Sequence, residues 1–503
     1  MSAQQAYSEL TQTLKELAIL NSCSGLLGWD QRTYMPRGGS KNRADQLGLI
    51  AGMVHEKFTS PRIGELLKQI EGTDLVKTYD SVEAANIREI RRRYDRQTKL
   101  PKALVEEFVK TTSMSEVAWE TARAKSDFKS FAPWLEKVVA LTKQIADCYG
   151  YKGEPYNALI DDYEPGMTVE EISTVFEKLR IDLVELNGKI RNGKKRPKVE
   201  IITRSYPVDL QRVFGESVAA AQGLDFNESR CDVTVHPFCS GMGPGDVRIT
   251  TRYNPNRLND ALFGIMHETG HALYDSGLER EYYGLPCGDA ASYGIHESQS
   301  RLWENQVGRS KEFWVYFLPQ LKRIFRSSLD GVTVDEFYGA VNDSQPSYIR
   351  VEADEATYNL HILLRYELER AMMKGDLKAV DVAGEWNSRF KNYFGIEVDN
   401  DAHGCLQDVH WSAGLIAYFP SYSLGNLYSA QFFAKAKADM PGLMSQFERG
   451  EFSGLLQWLR TNIHKHGARY RPAELCKKVT GQPLSHKPLI DYMTAKYKEI
   501  YGF

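Results

Sequence analysis

The chain has 503 residues, 42% of them hydrophobic, with 63 Lys and Arg against 66 Asp and Glu for a net charge of −3. That length admits one to three domains and a large core. The balanced charge excludes a dedicated nucleic-acid binder, which needs a basic excess to neutralise phosphates.

The N-terminal run MSAQQAYSELTQTLKEL lacks the apolar core of a secretory signal. From Tyr7 to about Gly150 the pattern is helical. Val82–Thr98 and Pro101–Trp119 repeat apolar residues every three or four positions, with Pro101 placed as a first-turn proline and Gly150 as a stop. Thr168 and Glu171 form a capping box that opens a helix ending near Gly188. The basic run Lys189–Lys198 has no interleaved aromatics for stacking bases and is expected to be a solvated loop. Cys231–His236 and Asp246–Arg252 alternate with period two around the glycine-rich Ser240–Gly245, which predicts a β-hairpin in a small sheet. Helices resume at about Arg257. No stretch approaches the eighteen or so apolar residues of a membrane helix, and no repeat or flexible linker appears. One mainly helical body over residues 1–503 is expected. The seven scattered cysteines contain no CxxC pair, which favours a reducing compartment over a disulfide framework. The expectation is a soluble, cytoplasmic protein with no nucleic-acid or membrane partner.

His267-Glu268-Thr269-Gly270-His271 is an HExxH motif inside a helical pattern that starts at Leu258. Residues i and i+4 share a helix face about 6 Å apart, so both imidazoles can reach one zinc ion. Glu268 is then placed to take a proton from an activated water and pass it to the leaving amine. A catalytic zinc wants a third protein ligand and one open position. Glu297, in His296-Glu297-Ser298-Gln299-Ser300, stands 26 residues beyond His271 at the start of another helical run. That is far enough for a second helix to fold back over the first, giving a His₂Glu site.

HExxH followed by HESQS resembles the carboxypeptidase Taq family of HExxH zinc metallocarboxypeptidases. Four more of that family's signatures occur in order: His236-Pro237-Phe238, the DxRxT of Asp246–Thr250, the IRxxAD of Ile349–Asp354 and the GxxQDxHW of Gly404–Trp411. The resemblance spans nearly the whole chain. It implies a mainly α, bowl- or saddle-like molecule with a deep central groove and a small antiparallel sheet beside the active site, related to peptidases of the neurolysin and angiotensin-converting type. It also implies a homodimer with one zinc per subunit (cobalt or manganese as substitutes). The expected activity is removal of single residues from free peptide C-termini, with broad preference and little action after proline.

A carboxypeptidase must hold its substrate's free carboxylate, for which a guanidinium fork is suited. The motifs point to Arg350, on the approach to a long helix, and Arg248, on the presumed strand. His410 is the candidate oxyanion donor, with Asp408 as a carboxylate holding an imidazole in place. Tyr418 and Tyr422 both suit a supporting hydroxyl, Tyr422 the more so, with Tyr418 left for substrate binding. His236 is expected to line the pocket for the terminal residues. His361 is read as a satisfied core residue, and His464 and His466 as surface, since i and i+2 face apart on a helix. The rival readings are a zinc oligopeptidase or dipeptidyl carboxypeptidase with the same ligands, and a helical scaffold around a structural zinc.

Overall fold

A computed structural model describes residues 1–503. Helices supply most of it, and three short strands make the one sheet. The chain divides into two compact units, each built from three separated segments. The first comprises residues 1–97, 198–341 and 432–482; the second comprises 98–197, 342–431 and 483–503.

In the first unit the helix Ala3–Thr33 starts at a capping box between Ser2 and Gln5. It buries Leu10, Leu14 and Leu17 against Ile63, Leu66 and Leu67 of the helix Pro61–Ile70, as spacings of three and four dictate. The sheet differs from the expected hairpin. Strand β1 (Ser229–Val233) runs parallel to β3 (Asp246–Thr251), and β2 (Cys239–Gly243) lies antiparallel on the other side of β3. The sheet is therefore mixed, and the glycine-rich stretch expected to be a connection is largely strand β2. Ladder bonds use only backbone groups, so its small side chains do not prevent pairing, and Pro244-Gly245 makes the turn into β3. Val247 and Ile249 of β3 pack on Ile265 and Ala272 of the helix Leu258–Asp275, which carries HExxH.

That helix meets a second, Tyr293–Arg301, which carries Glu297. Gly270 sets how closely they approach. A Cβ there would stand 2.5 Å from the Ser300 Cα and 2.7 Å from the Gln299 carbonyl oxygen, where no side chain can move aside. The run after Arg301 is a six-residue π-helix, Leu302–Val307, rather than the α-helix its pattern suggested.

In the second unit the Thr168–Glu171 capping box is present, although the helix it opens, Val169–Arg191, passes through Gly188. Gly150 ends the helix Phe128–Tyr149 as expected. In the basic run, Arg196 donates to the carbonyls of Arg191, Gly193 and Lys195. The central helix, Glu355–Lys374, is buried on nearly every face. Asp354, the last residue of IRxxAD, caps it by accepting from the Ala356 and Thr357 amides. Asp354 also accepts from the Ser344 hydroxyl and the Gln345 amide. The final helix, Lys487–Tyr501, fixes the same segment: Lys496 Nζ bonds Asn342 and Glu355, and the Ser344 amide donates to the Tyr501 hydroxyl.

Gly270→Ala must separate the two helices of the first unit. It should cost about 1–3 kcal/mol, as overpacking a dense interior usually does, read as a lower urea midpoint with unchanged slope. An unchanged midpoint would contradict the close approach.

Candidate metal centre and a buried arginine cluster

His267, His271 and Glu297 are brought together as the spacing predicted. One donor atom from each lies within 4.8 Å of the others. Glu297 Oε2 stands 3.7 Å from His267 Nε2 and 3.5 Å from His271 Nε2. Tetrahedral donors about 2.1 Å from a zinc ion sit roughly 3.4 Å apart, so the set fits such an ion with little movement.

Surrounding groups orient the donors. Glu304 accepts a hydrogen bond from His267 Nδ1 at 3.0 Å, which directs the Nε2 lone pair toward Glu297 and His271. Arg301 binds Glu297 Oε1 at 2.7 Å, leaving Oε2 for the histidines, and also reaches Glu304 at 3.2 Å. The ring of His296 stacks on His271, with centroids 4.3 Å apart, and is itself held by Asp275 at 2.9 Å. His464 lies behind these groups. It is fully buried, with Nε2 3.0 Å from the Gln299 side chain, which corrects its expected surface position. The local backbone is a 3₁₀ segment broken at Gly467, so the helical i, i+2 rule does not apply. His466 is partly exposed.

Burial pushes the Glu268 carboxyl up to about 7, opposed by His267. Burial also opposes ionisation of Glu297 and Glu304, but Arg301 and the neighbouring histidines outweigh it. Glu297 is held well below the usual carboxylate range and Glu304 down to about 2. Burial lowers His271 to about 4, helped by His296. Ionised carboxylates beside a neutral His271 make a cavity ready for a cation.

Arg248 lies on β3, next to Arg230 of β1 in the sheet register. Its Nε and Nη2 bind Asp246 at 2.8 and 2.7 Å, and its guanidinium lies 4.4 Å from the centre of the Trp29 ring. His236 is exposed in the link between β1 and β2.

The second unit brings together Arg350, His410, Tyr418 and Tyr422. Arg350 is buried, with Nε and Nη2 on Asp408 Oδ1 at 3.0 and 2.9 Å and Nη1 on the Tyr358 hydroxyl at 3.1 Å. The other oxygen of Asp408 accepts from Arg365 Nε at 2.7 Å. Asp408 therefore braces two guanidiniums rather than an imidazole, because both of its oxygens are taken. Gln407 holds the same corner by accepting from the Arg350 amide at 2.8 Å. His410 Nε2 is 3.4 Å from the Tyr422 hydroxyl, and its ring stacks on Phe419 at 4.3 Å. Burial lowers His410 to about 4, with Asp408 opposing, so the imidazole is neutral at neutral pH. The Tyr422 ring lies 5.2 Å from the Arg350 guanidinium, and Tyr418 packs edge-on to Tyr163 and Tyr422. His361 is in the core, against Phe390 and Phe394, yet neither ring nitrogen has a hydrogen-bond partner.

Sequence reasoning missed Glu304, Arg365 and Glu369. Glu304 follows Glu297 by seven residues, a spacing that keeps one helix face. Arg365 and Glu369 are ionisable residues four apart in an otherwise apolar run, the pattern of inward-facing charges.

Glu304→Gln should weaken metal binding about 10- to 100-fold, the usual cost of losing a carboxylate behind a histidine ligand. Titrating Zn²⁺ into the metal-free protein against a chelator measures it, and unchanged affinity would refute the orientation role. His464 is held down to about 3 by burial and by Arg460. The unfolded chain therefore binds its proton first as pH falls, and stability is lost between about pH 6.5 and 3. His464→Gln should reduce the fall in thermal midpoint between pH 7 and 4.5; an equal fall in both proteins would refute this.

The chain matches the family described as carboxypeptidase Taq (M32) metallopeptidase over residues 9–497. It is 45% identical to thermostable carboxypeptidase 1 of Thermus thermophilus over the full length of both chains. It is 37% identical to carboxypeptidase 1 of Bacillus subtilis over 98% of each. A crystal structure of an M32 carboxypeptidase from Deinococcus radiodurans superposes with a TM-score of 0.96 at 40% identity, over 99% of this chain and 100% of that one. The donor cluster, its carboxylate support and similarity along the whole length lead to one conclusion: the chain belongs to the carboxypeptidase Taq family of metallopeptidases and is a peptide hydrolase.

Proposed function

We propose that this chain, as a single domain over residues 1–503, removes one amino acid at a time from the free C-terminus of peptides, with broad preference and little action after proline. The observation that carries the reading is the His267–His271–Glu297 donor set with buried Glu268 one residue from its first ligand. Zinc suits these ligands, with cobalt or manganese as substitutes. A divalent ion held there supplies Lewis-acid polarisation of the scissile carbonyl and acidifies water.

The protein's own groups do the rest. Glu268, raised to about 7 by burial, takes a proton from the attacking water and gives it to the leaving nitrogen. His410, neutral at working pH, donates an N–H to the developing oxyanion, and the nearby Tyr422 hydroxyl is the second donor. Arg350 receives the substrate's terminal carboxylate. It is already oriented by Asp408 and Tyr358, so little side-chain freedom is lost on binding. Arg248, whose Nε and Nη2 are taken by Asp246, keeps Nη1 for substrate; His236 is assigned to the terminal residues and Tyr418 to substrate binding.

The family resemblance supports a homodimer. A cytoplasmic setting is supported by the seven cysteines, all of them free thiols. No helix is long and apolar enough to cross a membrane.

One mixed-sequence decapeptide, offered free, N-acetylated and C-amidated and followed by mass spectrometry, tests the reading. The first two should lose single C-terminal residues, the amidated form should survive, and a chelator should stop the reaction. Loss of residues in pairs, or internal cleavage, would shift the reading to a dipeptidyl carboxypeptidase or oligopeptidase. Glu268→Gln should lower kcat about 10²- to 10⁴-fold with metal retained. Arg350→Ala should lower kcat/KM at least about 30-fold, as removal of one partner of a buried charge pair does. Full activity in either variant would overturn that residue's role.

A further inference from the structure

We infer that Glu369 is a positioning residue for His410, gripping the loop that carries it at two points; the inference rests on the role proposed above for His410. The loop, residues 395–419, contains no helix or strand. A 25-residue irregular segment has no ladder of its own to hold a side chain in place, so an outside template must do so.

Glu369 is fully buried in the central helix of the second unit, and its hydrogen bonds come from neutral donors rather than from a lysine or arginine. A buried carboxyl without an ion partner is costly, and its surroundings show what it holds. Oε1 accepts from the Trp411 indole N–H at 2.8 Å. Oε2 accepts from the Ala417 amide at 3.0 Å and from the Tyr156 hydroxyl at 2.7 Å. Trp411 directly follows His410, and Ala417 directly precedes Tyr418, so each loop donor is the immediate neighbour of one of these residues.

The backbone at Ala417 has φ of +71°. A residue with a Cβ seldom adopts this left-handed conformation, and where one does the surroundings must enforce it. Here the bond to Glu369 fixes the amide of the residue concerned. One helical turn earlier, Arg365 anchors Asp408. Side chains four apart on one helix therefore fasten the loop at positions 408, 411 and 417, and His410 projects from a segment held on both sides.

Glu369→Gln keeps the shape but turns an N–H₂ toward at least one of these donors. The test compares this substitution in the intact enzyme and in a His410→Ala background, with kcat, KM and metal content measured for all four proteins. If Glu369 acts by placing His410, kcat should fall about 10- to 100-fold in the first background, with KM and metal content nearly unchanged. In the second background it should fall less than about threefold. Equal losses in both backgrounds, or full kcat in a folded Glu369→Gln protein, would reduce Glu369 to a structural residue. Full kcat in His410→Ala would instead remove the role of His410, and this inference with it. Should Glu369→Gln not fold, Trp411→Phe removes one donor while keeping an aromatic ring beside Trp386, and the same cycle applies.

Discussion

The metal centre depends on a close backbone contact, in which Gly270 lies against the Gln299 carbonyl and the Ser300 Cα of the facing helix. A metal site of this kind needs three side chains from two helices to converge within a few tenths of an ångström. Two of them, His267 and His271, are placed by the helical repeat alone. The third comes from another helix, and its reach is set by how closely the two backbones approach. A missing Cβ between the histidines and a carboxylate just before the contact are parts of one geometric solution. The Glu268 carboxyl on the same helix is buried, which raises its proton affinity into the range useful for a base.

Charge is organised on a common plan in the two units. Carboxylates and guanidiniums are buried in alternation, so that each fixes its neighbour. In the first unit Arg301 spans Glu297 and Glu304, and Glu304 fixes His267. In the second, Asp408 spans Arg350 and Arg365. Buried ion pairs contribute little net stability, but they define direction well, since each bond fixes an orientation as well as a distance. Both clusters orient the groups to which the proposed chemistry assigns work.

The sequence made some of this legible and obscured the rest for identifiable reasons. HExxH and the Thr168 capping box depend on spacing along a single helix, and spacing is what a sequence records; Glu297, on a second helix, was legible through the HESQS motif that contains it. Strand β2 was hidden because a Cys-Ser-Gly-Met-Gly run has little strand propensity; its pairing comes from an available edge of β3, a tertiary fact. The π-helical turn after Arg301 left no periodic trace in six residues. His464 was misplaced because a helical rule was applied to a segment that a glycine kink makes non-helical. Asp408 was expected to hold an imidazole, when the arginines that claim it lie 58 and 43 residues back along the chain.

The final helix of the second unit has a consequence for how the protein is made. Lys496 reaches Asn342 across 154 residues of sequence, and Tyr501 fastens the neighbouring Ser344. A ribosome adding about 5–20 residues per second would leave the stretch leading to Arg350 without these fastenings for roughly 8–30 s. During that interval the segment that carries the central arginine has emerged, but the helix that secures it has not been synthesised. Completion of this unit therefore waits on a helix made well after the segment it secures. Mutations in the last helix should act on yield through that delay as well as on the stability of the finished fold.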